Sequence, residues 1–184
     1  MTVFNVRKAA QIAAYFASRE GGKINVLKLA KLIYIADRRN LEMYDFPISG
    51  DVYVSMDHGP VNSITLNYIN GLASIQRDCW EEFVTDRDGY NVGVTREVTE
   101  EALDELSRAE YQTLELVWRE FGTMNQYQIR DWTHENCPEW ENPEGSSNPI
   151  PYERILKFLQ KPHAEELAHK MEQDKEIRTA FHLE

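Results

Sequence analysis

No run in this 184-residue chain approaches the roughly 20 consecutive apolar residues needed to cross a bilayer. Cysteine is scarce: Cys79 and Cys137 are too few for a disulfide framework and fit a reducing compartment. The opening Met1-Thr2-Val3-Phe4-Asn5-Val6-Arg7-Lys8 lacks the charged start, long apolar middle and cleavage site of a signal peptide. These absences predict a cytoplasmic protein with no membrane partner. There is also no Gly-x-Ser-x-Gly elbow, no Gly-x-x-x-x-Gly-Lys phosphate loop and no Gly-x-Gly-x-x-Gly dinucleotide turn. No internal repeat and no long linker divides the chain, so one domain is expected over 1–184, with a core of about 6–160 and a helical extension over 161–184.

The chain does contain enough apolar residues for a core. With 42% hydrophobic composition, a domain of this size buries roughly 70% of the surface its unfolded chain exposes. The 20 basic and 31 acidic residues give a net charge of −11. They are unevenly spread: residues 1–50 hold 8 basic and 4 acidic residues, and the remaining 134 hold 12 and 27. An acidic body repels phosphates, which argues against a nucleic-acid partner. It suits either a basic protein partner or solubility alone.

Spacing predicts an α+β fold that is predominantly helical. Ala9, Ala10, Ile12, Ala13, Tyr15 and Phe16 recur at helical intervals over 6–18, and Gly21-Gly22 ends that helix. Asn25 is suited to cap a long helix to about Met43. Its Val26, Leu29, Leu32, Ile33 and Ala36 face a core, with Lys28, Lys31, Arg38 and Arg39 towards the other face. A short strand is expected over 51–56, with Val52 and Val54 on one side. Pro60 then opens a helix to about Asn70. Trp80–Val84 and Tyr90–Val94 read as a β-hairpin over 80–94. Thr99 caps a short acidic helix to Leu106. Ser107 and Glu110 have capping-box spacing for a helix to Phe121. Thr123 or Asn125 caps another to His134, residues 136–151 form a loop, and helices at about 152–160 and 163–180 follow. The last is the most polar and is free to project.

Five histidines raise the question of a metal. Zinc needs three or four nitrogen or sulfur ligands. Cys137 near His134 has no partner cysteine, and the six-residue step from His163 to His169 puts them on different helix faces. No metal or other cofactor is expected. The run Glu97, Glu100, Glu101, Asp104 and Glu105 reads as a solvated face. His58, before Gly59-Pro60, either presents a functional side chain at a turn or hydrogen-bonds that turn's backbone. Catalysis needs a second group. The sequence names none, which favours the structural role, although a pairing of His58 with His134 stays open.

Ile24-Asn25-Val26-Leu27-Lys28-Leu29-Ala30-Lys31-Leu32-Ile33-Tyr34-Ile35-Ala36 resembles the Lys-Leu-x-Lys-Leu-x-Tyr helix of the Panacea domain, the SocA-like antitoxin domain. The resemblance continues through Pro47-Ile48-Ser49-Gly50 and Tyr53 to His58-Gly59-Pro60-Val61, the family's most distinctive element. It extends to Leu106-Ser107, Phe121-Gly122 and Thr133-His134 with Pro138 and Trp140. Matching pieces span about 6–160. Ala30 departs from the larger polar residue many relatives carry there, and the 80–94 segment and the tail after 161 match nothing recognisable.

The resemblance implies a non-enzymatic antitoxin that neutralises a cognate protein toxin by direct contact. A relative instead delivers its toxin to an ATP-dependent protease, and related domains occur in phage and prophage genes. The candidate toxin-binding residues are Lys28, Lys31 and Arg38 as an exposed basic strip, with Tyr34, Tyr44 and Tyr53 as aromatic anchors.

Overall fold

A computed structural model describes residues 3–181. Met1, Thr2 and the last three residues of the predicted extension, 182–184, lie outside the described residues. As expected, the fold is α+β and mainly helical, with two small antiparallel sheets.

Helix α1 (Val6–Arg19) is buried on nearly every side. Its alanines, Ala9, Ala10, Ala13, Ala14 and Ala17, present so little bulk that neighbours approach its backbone closely. Asn5 caps it by accepting from Lys8 N at 3.0 Å, and Gly21 and Gly22 turn the chain at φ +95 and +97, where glycine carries no Cβ penalty. Strand β1 (Lys23–Asn25) leads into α2 (Val26–Tyr44), whose first turn is capped by Asn25 through Leu27 N at 3.0 Å.

Helix α2 is the axis of the molecule. One apolar cluster joins its Leu29, Leu32, Ile33 and Ala36 to α1 and to Leu114, Val117 and Phe121. A second, on its other side, joins Tyr34 and Leu41 to Tyr53, Cys137, Ile150, Ile155 and Leu156. An amphipathic helix with one wet face was expected. With packing on both sides, most of its polar residues before Leu41 are shielded from water and find partners inside.

Strands β2 (Tyr53–Met56) and β3 (Gly59–Asn62) form a hairpin, with β5 (Asn148–Pro149) on the far edge of β2. Two expectations are corrected here. The buried face of this segment is Asp51, Tyr53 and Ser55, while Val52 is 43% exposed: hydrogen bonding of the polar side chains overrides apolar alternation. Pro60 lies within β3, and α3 (Ser63–Ile69) starts three residues later, its first turn capped from a distance by Asp51, which accepts from Ile64 N at 2.9 Å and Thr65 N at 2.8 Å.

The predicted 80–94 hairpin is also corrected. Trp80 belongs to α4 (Arg77–Glu81) and is fully buried. Strand β4 (Asn91–Gly93) pairs with β1, placing Ile24 opposite Val92, and only single bridges link Val84 to Val94 and Asp88 to Asn91. Residues 99–106 form successive turns instead of a helix. Helix α5 (Arg108–Phe121) has the Ser107–Glu110 capping box, and α6 (Gln126–Asn136) has one from Asn125 and Gln128. Helices α7 (Tyr152–Phe158) and α8 (Ala164–Phe181) pack together, with Ala164, Ala168 and Met171 buried. The first half of α8 therefore docks instead of projecting.

Candidate functional site

Polar side chains of α2 tie it to several other segments. Lys28 Nζ donates to Glu20 Oε2 at 2.6 Å and to Gly122 O at 2.8 Å, over the Trp118 ring. Lys31 Nζ donates to Pro60 O at 2.9 Å. Tyr34 OH and Arg38 Nε both donate to Glu139 Oε1 at 2.7 Å. The predicted exposed strip is therefore corrected: Lys28 and Lys31 are buried, Arg38 is largely covered, and all three are ties between elements. Tyr34 and Tyr53 are buried as well and stack edge to face at 5.6 Å. Of the three proposed tyrosine anchors only Tyr44, 39% exposed, reaches the surface.

Asp37 is the centre of a network in which its described partners are all uncharged. Its carboxylate accepts from Ile48 N and Ser49 N at 2.9 Å, Tyr53 OH at 3.0 Å, Asn62 Nδ2 at 2.7 Å and Ser49 Oγ. This fixes the Pro47–Gly50 loop and the β2–β3 hairpin to α2. Burial pushes its carboxyl above the ordinary carboxylate value, against the pull of those donors.

The hairpin's tip presents His58-Gly59-Pro60-Val61. Gly59 is buried at φ +97, and a Cβ there would lie 2.7 Å from Thr133 Oγ1 and 3.1 Å from Lys31 Nζ. The tip is held by Trp140 Nε1 donating to Met56 O at 2.8 Å and Gly145 N donating to Asp57 Oδ1 at 2.9 Å. The expected structural role of His58 is thus taken by others, and its side chain is exposed.

Beside this tip lies a groove of about 560 Å³, the scale of an ordinary ligand site. Val26, Leu27, Ala30 and Lys31 of α2 form one side, Met56, Asp57, His58 and Val61 another. Tyr90, Gln126 and Tyr127 lie on the rim, with Tyr90 73% and Tyr127 57% exposed, and Leu66 and Ser146 also line it. The sequence does not show Met56, Tyr90 and Tyr127 as neighbours, because the β1–β4 pairing that brings their segments together joins distant stretches and carries no local signature.

His134 stacks on Trp140 with ring centroids 4.2 Å apart, and its Nε2 is buried with no hydrogen-bond partner among the described residues. Burial lowers its pKa, followed by repulsion from Lys31. Cys137 is buried and its thiol is pushed up to about 12. Among the described residues no group of three or more His, Cys, Asp or Glu is placed to hold a metal.

A family model described as antitoxin SocA-like, Panacea domain, matches residues 29–141, more than half of the chain. The chain belongs to this family. No curated protein and no solved structure matches it. The Panacea match contains α2 from Leu29 onward, the whole β2–β3 hairpin, α5, α6 and Trp140. Helix α1 and the α7–α8 pair lie outside it. No described helix is long and apolar enough to cross a membrane.

Lys31 has a measurable consequence. Burial lowers its pKa from 10.5 to about 7. The unfolded chain then keeps a proton that the folded chain has shed, so stability rises with pH above 7. Above 9 the raised thiol of Cys137 acts in the opposite sense. Between pH 7 and 9 the Lys31 contribution is expected to add about 2 kcal/mol. Urea denaturation at pH 7, 8 and 9 should show this rise in the wild type and a flat profile in Lys31→Met. The same slope in both proteins would refute the assignment.

Proposed function

We propose that this protein is an antitoxin that neutralises a cognate protein toxin by direct contact, with capture at the groove between α2, the hairpin tip and α6. The observation that carries the reading is that the Panacea match supplies most of the residues lining that groove, from Ala30 to Tyr127. The groove is preformed, its frame is tied by buried hydrogen bonds, and its rim exposes Tyr90 and Tyr127, a residue type enriched among binding hot spots. This moves the anchor role away from Tyr34 and Tyr53.

Binding also suits the groups present better than catalysis does. His134 is packed flat on Trp140, and among the described residues neither it nor His58 is hydrogen-bonded to a carboxylate. General acid–base work requires such a partner or a substrate proton within reach.

Co-expression with the neighbouring open reading frame tests the reading. The neighbour is expected to arrest growth, and this protein to relieve the arrest and co-purify. The double variant Tyr90→Ala/Tyr127→Ala should weaken that complex by about 2 kcal/mol or more and leave the melting temperature nearly unchanged, because both rings are exposed. An inert neighbour would remove the antitoxin reading. Undiminished affinity in the double variant would move capture off the groove.

A second reading, delivery of the toxin to an ATP-dependent protease, is favoured by the outer part of α8, which lies beyond the Panacea match and exposes Ile177. Truncation after Gln173 retains the buried Ala164, Ala168 and Met171. It should preserve toxin binding and stop toxin turnover; turnover at the full rate would dispose of this version.

A further inference from the structure

Lys31 differs from the other buried cations of the chain. Lys8 donates to Glu110 Oε1 at 2.7 Å, and Lys28 is paired with Glu20. Arg38, also largely covered, is paired with Glu139. Lys31 is completely buried, has a carbonyl as its hydrogen-bond acceptor, and forms no ion pair among the described residues. A buried charge without a counter-charge is costly, and this one lines the groove.

Two further sources of positive potential meet there. The first turn of the 19-residue α2 contributes Val26 and Leu27 to the lining, and that of the 11-residue α6 contributes Gln126 and Tyr127. Both helices therefore begin at the groove, with the positive ends of their dipoles beside it. The cap oxygens of Asn25 and Asn125 occupy some of the first-turn N–H groups, taking Leu27 N at 3.0 Å and Tyr127 N at 2.9 Å, but they are neutral and leave the dipoles uncompensated. The groove's own carboxylate is Asp57, whose Oδ1 already accepts from Gly145 N, and its other titratable groups besides Lys31 are His58 and the phenols of Tyr90 and Tyr127. The rest of the lining is mainly apolar, with Val26, Leu27, Ala30, Met56, Val61 and Leu66. A chain of net charge −11 thus contains a groove where a buried amine and two helix N-termini stand against one carboxylate, Asp57.

We propose that the groove receives a carboxylate-bearing apolar segment of the partner protein, an aspartate, glutamate or chain-terminal carboxylate beside an apolar side chain, which supplies the counter-charge that Lys31 lacks. The proposal rests on the groove being the capture site. It predicts an acidic anchor on the toxin, whereas the net charge of this chain suggests a basic partner overall; the anchor and the general surface are different features. An arriving carboxylate favours the charged amine, offsetting the effect of its burial.

The full chain, labelled with ¹⁵N, is titrated with N-acetylphenylalanine, which carries an apolar ring and a carboxylate, and separately with its uncharged primary amide and with inorganic phosphate. The carboxylate probe is expected to shift the amides of Leu27, His58 and Tyr127 saturably, and the uncharged amide to bind about tenfold more weakly. Lys31→Met should erase the difference. Ser146→Asp, at an exposed position on the groove wall, should weaken the carboxylate probe and leave the amide unchanged, and it keeps the test decisive if Lys31→Met does not fold. Equal binding of the two probes, phosphate binding as strong as that of the carboxylate, or no saturable shift at these amides overturns the proposal. None of these readouts requires the neighbouring protein, so an inert neighbour and a groove indifferent to carboxylates are separate results.

Discussion

Gly59→Ala is expected to destabilise the protein by about 2–5 kcal/mol, combining backbone strain of about 1–2 kcal/mol with overpacking of about 1–3 kcal/mol. The backbone is at φ +97, outside the range an L side chain readily adopts. The new Cβ would also lie 2.7 Å from Thr133 Oγ1, 3.1 Å from Lys31 Nζ and 3.2 Å from His134 Cδ2. None of these neighbours has room to retreat. Thr133 Oγ1 donates to Arg130 O at 2.7 Å, Lys31 Nζ is held by Pro60 O, and His134 is backed by Trp140. Urea denaturation followed by circular dichroism checks the value. The double variant Gly59→Ala/Thr133→Ala separates the two causes. Removing the hydroxyl relieves the nearest clash but not the strain, so the double variant should be more stable than the sum of the single effects by about 1 kcal/mol. A single variant within 1 kcal/mol of wild type would show that α6 does not pack on the turn as described.

This contact explains what was legible in the sequence at the His58–Val61 motif and what was not. The glycine and proline announced a shaped turn, and the turn is there. Its purpose is visible only in three dimensions: Gly59 lets the hairpin tip close against α6, and the Pro60 carbonyl holds Lys31. Local punctuation was read well elsewhere, because caps are local chemistry. Asn25, Ser107–Glu110 and Asn125 all cap as their spacing suggested. Faces were read badly wherever a helix or strand is enclosed on both sides. Periodicity assigns polar residues to solvent, so Lys28, Lys31 and Asp37 on α2 were misplaced or passed over, and the Val52–Val54 alternation did not show that Tyr53 and Ser55 form the buried side. The 80–94 segment failed for a related reason. Its aromatic and β-branched residues fit a strand locally, but the better partner for Asn91–Gly93 is β1, nearly 70 residues earlier. The groove follows from that pairing and from the start of α6, so no single stretch of sequence could have shown it.

Asp37→Ala should cost about 4 kcal/mol, because it leaves buried donors without an acceptor and each orphaned group costs about 1–3 kcal/mol before water or rearrangement offsets part of it. The donors are two backbone N–H groups of Ile48 and Ser49 and the side chains of Ser49, Tyr53 and Asn62. Asp37→Asn should cost less, about 2 kcal/mol, since its carbonyl oxygen still serves the backbone pair and the two hydroxyls can rotate to accept from the new amide. The pH dependence distinguishes loss of charge from loss of shape. Burial holds the Asp37 carboxyl above its ordinary 3.8, so the folded state binds that proton more tightly than the unfolded chain. Its contribution to stability therefore falls as pH rises past 3.8 towards the raised value, and above that it stays constant. The stability difference between wild type and Asp37→Asn, measured by urea denaturation across that range, should shift against the wild type as pH increases, while other carboxylates cancel in the comparison. A difference that is independent of pH would mean that the donors balance burial completely. In that case the network would serve as a neutral clamp, and the position of the hairpin beside the groove would not depend on the charge of Asp37.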